Sequence, residues 1–166
     1  AVMLVPTVLL LGQLSLWCQA RPLRIGERAI VTLEVRTDQT SLLDQLQLAA
    51  ANSYRLTAGP VRVPAQRKIC WELEALEPGH SQIVISTQAA QYTKELAIGN
   101  EWGPVSLERP DWNWSSALLH PREQPFPPES PVAAIRVTYP PRLSWTAGTH
   151  SWLWYWLGAS MFFGYL

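Results

Sequence analysis

Residues 68–86 read KICWELEALEPGHSQIVIS. Ile69, Trp71, Leu73 and Ala75 recur at every second position against Lys68, Glu72 and Glu74, and Ile83 and Ile85 then alternate with Gln82 and Ser86. A period of two places one face of an extended chain in a core and the other in water, so both runs read as half-buried strands. Glu77, Pro78, Gly79 and His80 between them carry a turn. The expectation is a β-hairpin with Trp71 at the centre of the core.

The same alternation continues on both sides. Upstream, Ala29, Val31, Leu33 and Val35 share a face opposite Thr32, Glu34 and Arg36. The stretch SLLDQLQLAAA (41–51) reads as strand or helix; strand is preferred because its neighbours are strands, with Leu46, Leu48 and Ala50 on one side. Tyr54–Thr57 and Val61–Val63 flank Gly59-Pro60, read as a turn. Downstream, Tyr92, Leu96 and Ile98 form a face that ends at Gly99-Asn100. A last strand has Ala133, Ile135, Val137 and Tyr139 on one side and Arg136 on the other. Short strands about ten residues apart, punctuated by Gly and Pro, favour a sandwich over a helical fold.

The run 68–86 resembles a strand pair of an immunoglobulin-like sandwich, with an inward Trp71, then Pro78-Gly79, then the alternating strand from Gln82. The resemblance covers roughly residues 28 to 99. It implies an antiparallel β-sandwich and no particular activity. No Cys pair flanks Trp71, a departure from antibody domains.

Every Lys, Arg, Asp and Glu lies between Arg21 and Arg142, which leaves two apolar ends. Residues 1–20 read as a transmembrane helix with Trp17 at the lipid–water boundary; a signal peptide with Cys18 and Ala20 as a small-x-small site is the competing reading, without a basic leading region. Residues 149–166 read as a second transmembrane helix, cut short at its C-terminus. Ser151 to Leu166 rises only about 24 Å, against a bilayer core of roughly 30 Å. Trp152, Trp154, Trp156, Phe162 and Phe163 are its expected membrane and partner contacts, since Leu and Val alone would supply an anchor. The expected fold is therefore mainly β: an immunoglobulin-like antiparallel sandwich over 21–148 flanked by transmembrane helices 1–20 and 149–166. Residues 111–119 add a short helix capped by Asp111, with Trp114, Ala117 and Leu118 on one face. Residues 121–131, PREQPFPPESP, form an extended connector.

Composition excludes several chemistries. Thirteen basic and thirteen acidic residues leave no net charge to neutralise a phosphate backbone, so nucleic acid is not an expected partner. Cys18 and Cys70 make neither a disulfide nor, with His80, His120 and His150, a metal-ligand spacing. No phosphate loop, nucleophile elbow or H-E-x-x-H motif occurs, and Glu72 with Glu74 reads as a solvated strand face. Asn113-Trp114-Ser115 matches a glycosylation acceptor by pattern alone. The expected protein has no catalytic, cofactor-binding or metal-binding residue, and no cofactor beyond contact with the lipids or pigments of a host complex. The leading expectation is a non-enzymatic accessory subunit of a larger bacterial membrane complex, photosynthetic or respiratory. Its partners would be integral membrane subunits and lipid, with the anchors in the bacterial inner membrane and the β domain on the periplasmic side. Arg21, Arg24 and Arg28 argue for the opposite orientation, although the positive-inside tendency weakens over long loops. The alternative is a free-standing, membrane-tethered receptor or assembly chaperone.

Overall fold

The computed structural model describes residues 20–36, 40–99, 105–113 and 122–142, together with Leu10, Gly158, Ser160 and Met161. Its strands are β1 (Arg28–Val35), β2 (Gln47–Leu48), β3 (Tyr54–Val63), β4 (Lys68–Ala75), β5 (Gly79–Ser86), β6 (Gln91–Ile98), β7 (Glu108–Arg109) and β8 (Val132–Val137), with 3-10 turns at Thr40–Asp44 and Pro64–Gln66. They form two antiparallel sheets, one ordered β3-β4-β1-β8-β7 and the other β2-β5-β6. The arrangement is mainly β and compatible with a β-sandwich. Each sheet turns one set of alternating apolar side chains inward: Val31, Leu33, Ile69, Trp71 and Leu73 from the larger, Ile83, Ile85 and Leu96 from the smaller. Trp71 is 2 % exposed, as its inward parity requires.

The strand pairing departs from the expected hairpin. β4 bonds to β3 and β1, while β5 bonds to β6 and β2, so Glu77-Pro78 carries the chain from one sheet to the other. Alternation determines which side of a strand is apolar, but not which strand lies beside it. The expected turn at Gly59-Pro60 is also corrected, because β3 runs through it. Register shifts either side of Ala58 absorb the pair as an irregularity in the ladder to β4. Proline is tolerated because β3 is an edge strand, where a missing donor faces solvent. Gly59 adopts φ +110°, and a Cβ there would stand 2.9 Å from the Cys70 carbonyl oxygen and 3.0 Å from Trp71 Cα. Gly59→Ala is expected to lower stability by about 1–3 kcal/mol, the cost of a residue forced into such backbone. Urea unfolding with an unchanged slope reads this directly.

Around residues 41–51 the chain makes a 3-10 turn and then the two-residue β2, a shorter strand than the pattern promised. In β8 the buried residues are Val132, Ile135 and Val137, with Tyr139 beyond the strand. Ala133 is only half-buried because the pairing with β1 shifts between Glu34 and Val35, which turns Val132 inward instead.

The two flanking transmembrane helices are corrected as well. Among the described residues no helix is long and apolar enough to cross a membrane, and the placement in a bacterial inner membrane with a periplasmic domain, which rested on those helices, falls with them. Apart from Leu10, Ala20, Gly158, Ser160 and Met161, the residues of the two expected spans lie outside the described residues. Ala20, the last residue of the first expected span, is buried in the β core and bridges Pro141. Trp152, Trp154, Trp156, Phe162 and Phe163 lie outside the described residues, as does residue 114–121, which held most of the expected short helix. Asp111, its expected cap, forms a bridge to Phe126 and stands 3.6 Å from Arg36.

Residues 20–27 tie the sheets together. Arg21 N–H donates to Pro140 O (3.1 Å), Leu23 N–H to Ala97 O (3.1 Å), and Gly99 N–H to Leu23 O (2.7 Å). The bend between them is held by Glu27, which accepts from both Arg21 guanidinium ends (2.7 and 2.8 Å) and from Arg24 N–H (2.9 Å). The Arg21 hydrogen bonds hold the Glu27 carboxyl down at about 2 from its usual 4.5. A depressed carboxyl contributes stability above its unfolded value and loses it as pH falls towards the folded one. The stability advantage of the native chain over Glu27→Gln is expected to be constant above about pH 5, to shrink below pH 4.5 and to vanish near pH 2, as measured by urea unfolding across that range.

Candidate functional site

β6 is the outer strand of the smaller sheet, and such an edge presents unpaired peptide groups. Here side chains from distant segments occupy them. Arg109 Nη1 donates to Thr93 O (2.6 Å), Glu95 N–H donates to Glu123 Oε2 (3.3 Å), and Ala97 N–H donates to Tyr139 Oη (3.0 Å). Leu23 N–H takes the Ala97 carbonyl. The edge is closed to strand addition by groups contributed from β7, from Glu123 in the connector and from Tyr139 just after β8. Burial pushes the Tyr139 phenol above its usual range, which keeps its hydroxyl neutral in this role.

Lys94 lies at the centre of this seam. It occupies the inward parity of β6 between Tyr92 and Leu96, and its side chain is wholly buried. Its ammonium donates to Ser106 O (2.7 Å), Ser106 Oγ (2.6 Å) and Glu123 Oε1, which uses all three of its donors. Burial pushes the Lys94 pKa below its usual value, while the Glu123 carboxylate pulls the other way. Outside the seam, Arg122 reaches Glu95 by two hydrogen bonds (2.6 and 2.8 Å), and His80 Nδ1 stands 3.0 Å from the same carboxylate. The Arg122 bonds lower the Glu95 pKa.

Beside the seam an open groove of about 410 Å³ runs between β6 and the proline-rich connector. Tyr92, Thr93, Arg109, Phe126, Pro127 and Pro131 line it, with Gln91, Glu129 and Ser130 completing the wall. Phe126 is buried and meets Tyr92 edge-on, with ring centroids 6.1 Å apart. The Arg109 guanidinium stacks over Phe126 at 4.2 Å and is fixed by Nε donating to Gln124 O (2.9 Å) and Nη1 to Thr93 Oγ1 (3.1 Å). The volume falls within the range of ligand clefts, and the wall joins rigid apolar rings to one immobilised cation. That combination suits recognition of a ligand with an apolar body and a polar point.

None of these residues was singled out from the sequence as a site. One signal was present: Lys94 shares the parity of Tyr92, Leu96 and Ile98, and a charge on an otherwise apolar strand face marks a buried polar partner. Phe126 is likewise the lone aromatic of PREQPFPPESP. Glu72 and Glu74, read as a solvated face, are half-buried, and each stands against an arginine, Arg28 at 3.8 Å and Arg55 at 3.1 Å. Cys70 is a free thiol with Sγ 3.6 Å from Thr32 Oγ1, and Cys18 lies outside the described residues. Among the described residues no cluster of His, Cys, Asp and Glu is placed to hold a metal ion. Comparison with family models, with curated proteins and with solved structures gives no match for this chain.

Proposed function

We propose that this chain is a non-enzymatic accessory subunit of a larger protein assembly, an immunoglobulin-like sandwich that docks on a partner protein through the groove beside β6. The observation that carries this reading is the pairing of an immobilised Arg109–Phe126 stack with an open cleft. A polar anchor held in advance loses little freedom when a partner arrives, and Arg and aromatic residues are the side chains that most often dominate protein interfaces. The immunoglobulin-like assignment draws on the inward Trp71 and on two antiparallel sheets that face one another across one core.

Native sizing of the protein from its own cells tests the proposal. A subunit migrates in a species well above its 18.7 kDa mass together with a defined partner at fixed stoichiometry. Migration as a small lone species would sink the subunit reading and leave the free-standing binding module, a receptor or assembly chaperone.

A further inference from the structure

Arginines of the described residues generally stand against a carboxylate: Arg21 against Glu27, Arg55 against Glu74, Arg122 against Glu95, Arg136 against Glu108. Arg109 differs. Among the described residues no carboxylate comes within salt-bridge distance of it, although burial works against its charge. Glu123 acts on it only through space, and that carboxylate is already bound to Lys94. Among the described residues of the seam, Lys94 and Arg109 stand against the single carboxylate of Glu123, an excess of one positive charge. The excess falls on Arg109, whose Nε and Nη1 are committed to Gln124 O and Thr93 while no described partner engages Nη2. Arg109 lines the groove.

Resting on the binding reading above, we infer that the groove receives an extended peptide segment of the partner protein that carries a single carboxylate side chain flanked by apolar residues. The carboxylate accepts from Arg109 Nη2, and the flanking residues lie on Pro127, Pro131 and the stem of Gln91, the more exposed parts of the wall. The stack on Phe126 and the bonds to Gln124 O and Thr93 hold the guanidinium in one orientation, so Nη2 meets a carboxylate from a fixed direction with a charge-assisted hydrogen bond. The cleft is open to solvent, which admits a segment that continues beyond it. Glu129 is exposed in its wall. Its charge disfavours a run of acidic residues and selects for one. Strand addition is not the mode, because the β6 edge is already occupied by Arg109, Glu123 and Tyr139.

The test is to pan the full chain against a random linear peptide library. Enrichment of peptides with one Asp or Glu between apolar residues is expected. Changing that Glu to Gln in an enriched peptide should weaken binding to the unaltered protein by about tenfold or more, the effect of losing a charge-assisted hydrogen bond. Arg109→Gln should weaken the Glu peptide by a similar factor and the Gln peptide by clearly less, and amide resonances of Thr93 and Ser130 should shift on binding. Should Arg109→Gln fail to fold, the peptide exchange on the native chain still decides. Enrichment of basic or uncharged peptides, no enrichment, or indifference to the Glu→Gln exchange overturns the inference. A chain that co-migrates with a defined partner yet shows no preference for acidic peptides keeps the subunit reading and loses only this one. A lone species that selects such peptides does the reverse.

Discussion

Replacing Trp71 with Ala is expected to remove about 3–5 kcal/mol of stability, the usual cost of deleting a large core aromatic. Trp71 is the largest of the fully buried side chains and pairs with Val31 across the β1–β4 ladder. The indole is also one wall against which Gly59 packs, with Trp71 Cδ1 3.2 Å from where a Cβ would stand, so the cavity opens beneath the irregular part of β3 as well as between the sheets. A domain of this size holds only about 5–15 kcal/mol in total. The variant should therefore melt far below the native chain, or aggregate on expression. Chemical unfolding followed by near-ultraviolet circular dichroism measures the loss, and an unchanged midpoint would mean that the core is centred elsewhere.

Glu123→Leu is the second large effect, expected at about 3–5 kcal/mol, because it strands the Lys94 ammonium in a buried site with only Ser106 to accept from it. Glu123 also takes the Glu95 N–H, so the substitution reopens part of the β6 edge. Lys94→Met, made on the same background, should recover part of the loss, since removing both charges spares the protein an unpaired one. The two single variants and the double form a thermodynamic cycle, with a coupling of at least about 1 kcal/mol expected for groups in direct contact. Additive effects would show that the pair is solvated in solution. Amide exchange at Glu95 and Ala97 should quicken in Glu123→Leu, because the seam protects these groups of the outer strand.

The sequence by itself determined the inward faces of β1, β4, β5 and β6. Each is a run of alternating side chains, and parity along an extended chain is a local property that needs no knowledge of neighbours. Ile69, Trp71 and Leu73 are buried for that reason, and so are Ile83, Ile85 and Leu96. The same local logic failed where a neighbour decides the outcome. Whether β4 lies beside β5 or beside β3 and β1 is decided by pairing between strands distant in the chain, and Glu77-Pro78 serves a hairpin or a crossover equally well. Gly59-Pro60 is a turn in isolation and an edge-strand irregularity once β4 supplies a ladder. Apolar ends read as membrane helices because hydropathy records what a segment avoids and is silent on what it packs against; Ala20 is buried in the β core. The groove was least legible of all. Thr93, Arg109 and Phe126 belong to β6, β7 and the connector, and they meet only because two sheets close on one core and bring these segments along the same edge. Tertiary structure alone could decide that, since a carbonyl on β6 and a guanidinium sixteen residues away share no pattern in the chain. Their contact is set by the register of every strand between them.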